Sequence, residues 1–553
     1  MPVRYAVCQG APRRCLPGTT GWREAQTGDG DRSYHCGMRY TPPSQAAASE
    51  PPVDPAIPQR ADLGQLAVLA LRAHGLTPEF SPEALAELAG IAGPALASAP
   101  GIADLRALPW CSIDDADSQD LDQLSVCQEV QGGWRVLVAI ADVDALVPKD
   151  CAIDRHARIN TTSVYTAGRV FPMLPERLST DLTSLDPQQD RMALVTEMSV
   201  DAQGQVGAFT IVRAQVHNHA KLAYDSLAAW LDGNADLPTA AAAVPGMDAQ
   251  LRLQDAAAQA LRQGRTAHGA LQFETFEPRA EVQGGRVVAI RQREHDRARQ
   301  LIEEFMVATN ICSAQYLERH GGLAMRRVVR SPERWSRVVA VAGKYGERLP
   351  AEPDARALEA FLERRRQADP LRFPDLSLTI VQLMGAGEYV IEEAQPGTPV
   401  DHSTTVAVED YGHFGLAIRD YAHSTAPNRR YPDLICQRLV KAALAEAPSP
   451  YSVAELQALA EHCNRQESAA RKVERSLRKS EAALYLQDKI GTDFDAIVTG
   501  RNPRGTWVRT LVPPVEGKLL GAGDAVDVGD KLRVTLQSTD VAQGFIDFVP
   551  GAP

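Results

Sequence analysis

The sequence predicts an α+β protein, in which a large mixed domain follows a short helical segment and precedes a small β-barrel. Three observations lead there. Leu124–Val130 and Trp134–Ile140 have strand character and flank Gln131-Gly132-Gly133, a hairpin-turn sequence. Residues 297–317 and 452–488 carry the clearest helical periodicity. After Gly491 the chain breaks into short β-like runs, Phe494–Val498, Thr506–Thr510 and Leu532–Leu536, separated by Gly, Pro and Asp turns.

Taken in order, residues 1–60 are rich in Pro, Ala, Gly and Ser and are expected to be a disordered segment or linker. Residues 61–105 form a small helical module. Leu63, Leu66, Leu69 and Leu71 suggest one short helix. Ser81-Pro82-Glu83 starts another, with an N-cap, a proline at the first helical position and an acid in the first turn. Residues 106–488 alternate strand-like and helix-like stretches and form the large α+β domain. Residues 489–553 suit a barrel of the oligonucleotide-binding type.

Composition narrows the functional classes. At 553 residues, with 44% hydrophobic and 23% charged residues, the chain reads as an ordinary globular protein. It has no run near the ~18 apolar residues that span a bilayer. Arg4, Arg13 and Arg14 interrupt any signal-peptide core, so the cytoplasm is the expected compartment. A monomer without membrane contact is expected. Nine cysteines include no Cys-x-x-Cys pair, and Cys8, Cys15 and Cys36 are irregularly spaced, which argues against a disulfide framework or a zinc site. His217 and His219 form a His-x-His pair without a nearby third ligand and read as surface histidines.

Between Ser112 and Gln123 the chain places five aspartates, Asp114, Asp115, Asp117, Asp120 and Asp122, in nine positions. Such crowded carboxylates repel one another and persist only with compensation. A solvated acidic loop would not sit between Trp110 and the strand beginning at Leu124. A calcium loop starting at Asp115 would put Asp120 at the tight-turn glycine and Val126 at the bidentate glutamate. Helix capping needs one acid, not five. A Mg2+ or Mn2+ site fits better, because hard cations take oxygen ligands and substrate phosphates complete their shell. Asp120 and Asp122, two apart, point to the same side of an extended segment.

From about Trp110 to Tyr485 the chain resembles the catalytic domain of the ribonuclease II and ribonuclease R family. The motifs occur in order: Ser112-Ile113-Asp114 with Asp120-Leu121-Asp122, Val138–Val143, Thr162–Tyr165, Pro172–Ser179, Leu301–Met306 and Tyr421–Asp433. The segment after Gly491 resembles the S1 domain that commonly ends these enzymes. The resemblance implies processive 3′-to-5′ hydrolysis of single-stranded RNA to nucleoside 5′-monophosphates with Mg2+. It places Asp114, Asp120 and Asp122 at the metal, with Asp122 closest to catalysis. It puts Tyr165 on the terminal base, Arg429 on the scissile phosphate, and Arg430 in support or paired with Asp433. Phe273 matches an upstream aromatic clamp, with Phe276 as the competing position, and Glu474 lies near the terminal nucleotide. Trp507 is the candidate RNA contact of the barrel. Asp142 and Asp144 read equally well as turn or cap residues.

The net charge of −12 is not that of a typical nucleic-acid binder, so local patches must decide. Arg471, Lys472, Arg475, Arg478 and Lys479 form one expected RNA-attracting patch, and Arg326, Arg327, Arg330 and Arg334 a second. Two features depart from the family. Gln123 stands where a further aspartate is usual, with Asp115 or Asp117 available to compensate. No pair of cold-shock barrels precedes Trp110. The first departure keeps an alternative open, a catalytically weak RNA-binding regulator of the same fold; a nuclease or phosphatase acting on other nucleotides is a third reading.

Overall fold

The structure is a computed structural model and describes residues 63–95, 97, 101–274, 278–283, 286–292, 296–320, 322–332, 334–393, 412–521, 526 and 528–551. The segment 1–60, the cysteines Cys8, Cys15 and Cys36, and Phe276 lie outside these residues.

The first nine strands position the site: β1 (Ala103–Asp104), β2 (Cys111–Asp114), β3 (Gln123–Val130), β4 (Gly133–Ala141), β5 (Val164–Tyr165), β6 (Val170–Phe171), β7 (Asp190–Asp201), β8 (Val206–His217) and β9 (Ala220–Ala223). Seven form one mixed sheet in the order β1-β8-β7-β4-β3-β2-β9, while β5 and β6 pair separately as a small hairpin. The expected β3–β4 hairpin is present, in register Val130↔Gly133, and Gly132 takes the positive φ of 86° that the tight turn requires.

The sheet is covered on both faces, and period-2 alternation shows how. Leu137, Ala139 and Ala141 of β4 join a core with the helices Ala152–Asn160 and Tyr431–Leu444 and the start of the helix Val453–Leu486. Val136, Val138 and Ile140 of the same strand face the helices Tyr224–Leu231, Met247–Ala267 and Arg297–Arg319. This double burial explains why the segment reads as a nearly continuous apolar run.

The two early helices form at Leu63–Ala73 and Pro82–Gly90, and Ser81 Oγ caps the second by accepting from Ala84 N–H at 3.1 Å. They join different cores. Ala67 and Leu71 of the first pack with Val164, Phe171 and the long helix Val453–Leu486, whereas Ala84 of the second packs into the main sheet core. Full burial of Leu71 contributes roughly 1.5–3 kcal/mol. Leu69, on the opposite face, is exposed.

The C-terminal segment is a closed five-stranded barrel of Asp493–Asn502, Gly505–Thr510, Glu516–Leu519, Lys531–Asp540 and Phe545–Pro550. Ala483 and Leu486, at the end of the long helix, share its core with Val508, Val534 and Phe548. A bidentate ion pair from Arg509 to Asp375, with nitrogen–oxygen distances of 2.5 and 3.1 Å, also ties it to the large domain.

Candidate active site

The aspartate segment leaves β2 at Asp114 and re-enters the sheet at Gln123. Asp114 Oδ1 accepts from Asp115 N–H at 2.7 Å and from the Ser118 hydroxyl at 2.8 Å, which folds the loop tightly. Leu121 N–H donates to Ser184 Oγ and Leu185 N–H donates to Leu121 O, so the loop's second half is bonded to the 184–185 segment. Asp122 follows at the strand entrance and is fully buried. Its alternation matches Leu124 and Val126, so it points to the face covered by the helix Tyr431–Leu444. Gln123 therefore points the other way, and its amide nitrogen donates to Ile113 O at 3.3 Å.

Opposite Asp122 lies the loop 426–430. Asn428 N–H donates to Asp122 Oδ1 at 3.2 Å, and Arg429 Nε stands 3.1 Å from Asp122 Oδ2. Burial pushes the Asp122 carboxyl up to about 7; Arg429 opposes the shift and the charge of Asp120 adds to it. For Arg429, burial disfavours the charge, but Asp122, Tyr165, Asp120 and Asp114 outweigh it and hold the guanidinium charged. Asp433 organises this loop: its Oδ1 accepts from Ala426 N–H at 2.8 Å and from Arg430 Nη2 at 2.7 Å.

The segment carrying Tyr165 is zipped to the same loop. Ser163 N–H donates to Arg429 O at 2.9 Å, and Tyr431 N–H donates to Thr161 O at 2.8 Å. Tyr165 then projects a 40% exposed side chain whose hydroxyl donates to Asp120 Oδ2 at 2.8 Å. The fold thus brings Asp114, Asp120, Asp122, Tyr165 and Arg429 together from three separate stretches of chain. Glu474, on the long helix, joins through the backbone by accepting from Tyr165 N–H at 3.3 Å.

Other candidates lie elsewhere or do other work. Arg430 pairs with Asp433, one of the two expected arrangements. Phe273 is half-buried against a separate cluster with Trp335, Phe361 and Phe373. Trp507 is half-buried on a barrel strand, between the buried Thr506 and Val508. Asp142 and Asp144 are held by Lys441 at 2.7 Å each, and Asp144 also by Arg438 at 2.9 Å. His217 pairs with Asp190 at 2.7 Å, and His219 Nε2 bonds to Arg106 O at 3.0 Å.

Two expectations are corrected. Arg326 and Arg327 do not form an RNA-attracting surface, because both are buried in ion pairs: Arg326 with Glu392 at 2.5 Å, and Arg327 with Glu467 at 2.7 Å. Arg330 pairs with Glu388. The patch on the long helix, by contrast, is exposed along Arg471, Lys472, Arg475, Arg478 and Lys479. Nor is Asp115 spare to replace the missing carboxylate, since Arg299 at 2.6 Å and Arg279 at 3.2 Å both hold it.

With that geometry in view, comparison with known proteins is informative. The RNB domain family matches residues 102–446. This chain belongs to the RNB family. The RNase II-type exonuclease C-terminal S1 domain matches residues 492–551, the closed barrel. Ribonuclease R of Escherichia coli is 30% identical to this RNB protein over 527 residues, covering 88% of the chain and 62% of the relative. The chain therefore spans less than two thirds of that relative's length. Among solved structures, Mycoplasma genitalium RNase R in complex with ribose methylated single-stranded RNA aligns with a TM-score of 0.78 at 21% identity, over 89% of this chain and 78% of that one. The yeast pseudonuclease Ssd1 aligns at 0.63 and 15% identity, over 83% and 56%. The RNB fold is thus common to a ribonuclease and to a pseudonuclease, and the site residues must decide between them.

Sequence reasoning paired Asp433 with Arg430 but missed its bond to Ala426 N–H and the part played by Asn428. Both stand inside a recognised motif, yet this work is done through backbone N–H groups. No residue-type pattern marks such roles.

Proposed function

We propose that this chain is a metal-dependent 3′-to-5′ exoribonuclease that degrades single-stranded RNA processively to nucleoside 5′-monophosphates. The observation that carries the reading is the pairing of buried Asp122 with the partly exposed Arg429, beside the exposed Tyr165 ring. A sealed carboxylate and a phosphate-binding guanidinium sit next to a surface on which a base can stack.

The donor set fits Mg2+ or Mn2+. Asp122 Oδ2 is buried and accepts no hydrogen bond among the described residues, its charge being met by Arg429 Nε at 3.1 Å, so it keeps a lone pair that a cation can use. Among those residues no group of three or more His, Cys, Asp or Glu forms a ready-made cage. That suits Mg2+, which keeps waters and takes only one or two carboxylates plus substrate phosphate. One or two of Asp114, Asp120 and Asp122 would hold the ion; when bound, it supplies charge neutralisation and an activated water. The chain's own residues do the rest. Arg429 grips the scissile phosphate through its fork of donors and balances charge developing there. Tyr165 stacks the terminal base without reading its identity, as processive degradation requires.

One observation favours a second reading. The Gln123 amide is turned to Ile113 O on the opposite side of the strand from Asp122, which leaves one carboxylate fewer for a metal. A weakly catalytic RNA-binding regulator would result. The two separate in one experiment: 5′-labelled single-stranded RNA and DNA, incubated with Mg2+ or a chelator, beside an Asp122→Asn variant. Stepwise RNA shortening that needs both metal and Asp122 is expected, with the variant slowed by about 10³-fold or more while still binding RNA. Binding without shortening supports the regulator, and equal loss of DNA points to a broader nuclease.

A further inference from the structure

The hairpin that presents Tyr165 is too small to hold itself. β5 and β6 have two residues each, and isolated two-stranded hairpins are marginal in water. Its position is imposed from two sides. On one side stands the helix Leu63–Ala73. Its Ala67 and Leu71, with Leu76 just beyond, are buried against Val164 and Phe171 of the hairpin and against Val473 and Leu477 of the long helix. The hairpin turn abuts the start of that first helix, since a Cβ added at Gly168 would lie 3.3 Å from Leu63 Cβ. Past the helix, Thr77 N–H donates to Asn160 Oδ1 at 2.8 Å and Asn160 Nδ2 donates to Thr77 O at 2.7 Å. This reciprocal pair pins the chain just ahead of residues 161–165.

On the other side, the long helix supplies two carboxylates about two turns apart on one face. Glu474 accepts from Tyr165 N–H at 3.3 Å and Glu481 accepts from Ala167 N–H at 2.9 Å. Glu474 is half-buried and Glu481 buried, and burial raises both above the ordinary carboxylate value against the pull of those N–H groups. Among the described residues, Glu481 bonds to the candidate site only through Ala167 N–H, so that bond holds the hairpin.

Resting on the exoribonuclease reading, we propose that the helix Leu63–Ala73 and Glu481 are a brace that positions Tyr165, and that this brace sets where the RNA 3′ end stops. The brace touches neither the phosphate nor the aspartates. It acts through Tyr165, so it governs the grip on the terminal nucleotides and the length of the last fragment left undigested.

The test compares Leu71→Ala, Glu481→Ala and Glu481→Gln in the full chain, alone and combined with Tyr165→Ala. Final fragment length is read on 5′-labelled RNA, affinity by anisotropy of a short fluorescent oligoribonucleotide, and folding by thermal melting. Leu71→Ala and Glu481→Ala should weaken oligoribonucleotide binding by roughly tenfold and lengthen the final fragment, with kcat on long RNA little changed. Glu481→Gln, whose amide oxygen still accepts from Ala167, should restore most of the grip. In the Tyr165→Ala background neither brace change should add anything, because both act through that ring. Should Leu71→Ala melt early, the Glu481 pair of variants carries the comparison. Wild-type fragment length and affinity in folded Glu481→Ala, or effects additive with Tyr165→Ala, overturn the brace while wild-type cutting keeps the exoribonuclease reading. Wild-type protein that leaves RNA intact overturns both.

Discussion

The two ends of the candidate site are built on opposite physical terms. Asp122 is sealed between the sheet and the loop 426–430, and its carboxyl is held up at about 7 by burial. Tyr165, a few residues of space away through Asp120, stands on a minimal hairpin with its ring open to solvent. The difference follows from what each end is asked to do. Charge stabilisation gains strength where water is excluded, although the protein must tolerate a costly buried acid. Stacking needs an accessible ring face and gains nothing from sealing it. The sealed end is held by its own domain core, and the open end only by neighbours.

The comparison can be broken most forcefully at the sealed end. Arg429→Ala should slow hydrolysis at saturating RNA by about 10²–10³-fold, with final fragment length unchanged. A loss below about tenfold would take the chemistry away from that pair. At the open end, Tyr165→Ala should reduce terminal-nucleotide affinity by about 5–100-fold and change the last fragment, with kcat on long RNA nearly kept. Tyr165→Phe, which loses only the hydroxyl bond to Asp120, should behave close to wild type. An unchanged end product in Tyr165→Ala would remove that ring from the site.

A smaller effect concerns stability. Because the folded pKa of Asp122 is raised to about 7, its protonated form stabilises the metal-free fold fully below the ordinary carboxylate range. That contribution is lost as pH rises through about 7. Asp122→Asn removes the dependence, so above neutrality the metal-free variant should melt about 2–4 °C higher than wild type and with a shallower pH slope. Parallel melting curves across pH would contradict the sealed state of this carboxylate. The smallest change is expected at the barrel. Trp507→Ala should weaken binding of long RNA by several-fold and leave single-turnover hydrolysis intact; a loss of hydrolysis on bound RNA would place the barrel in the chemistry.

Where the fold obeyed local rules, the sequence was readable. The β3–β4 turn, the Ser81 cap and the short barrel runs each depend on a few adjacent residues. Pairings over distance were not. Arg326 and Arg327 looked like a basic surface because their acids, Glu392, Glu318, Asp420 and Glu467, are scattered along the chain. The bonding of Ser163 to Arg429 likewise spans two remote segments, and no periodicity announces it. The aspartates and Arg429 were visible as residue types in motifs, whereas the brace behind Tyr165 is apolar packing and backbone bonding that resembles any core.

The Gln123 side chain is itself part of how the aspartate loop is closed. Its amide closes the aspartate loop on Ile113 O, in a place almost closed to water. Gln123→Asp, the single change that would add a carboxylate here, would set an acid beside a carbonyl oxygen at an almost fully buried position. The exchange would therefore weaken the fold before it could help a cation. The glutamine amide thus serves the closure of the loop, and the strand position is built around that donor.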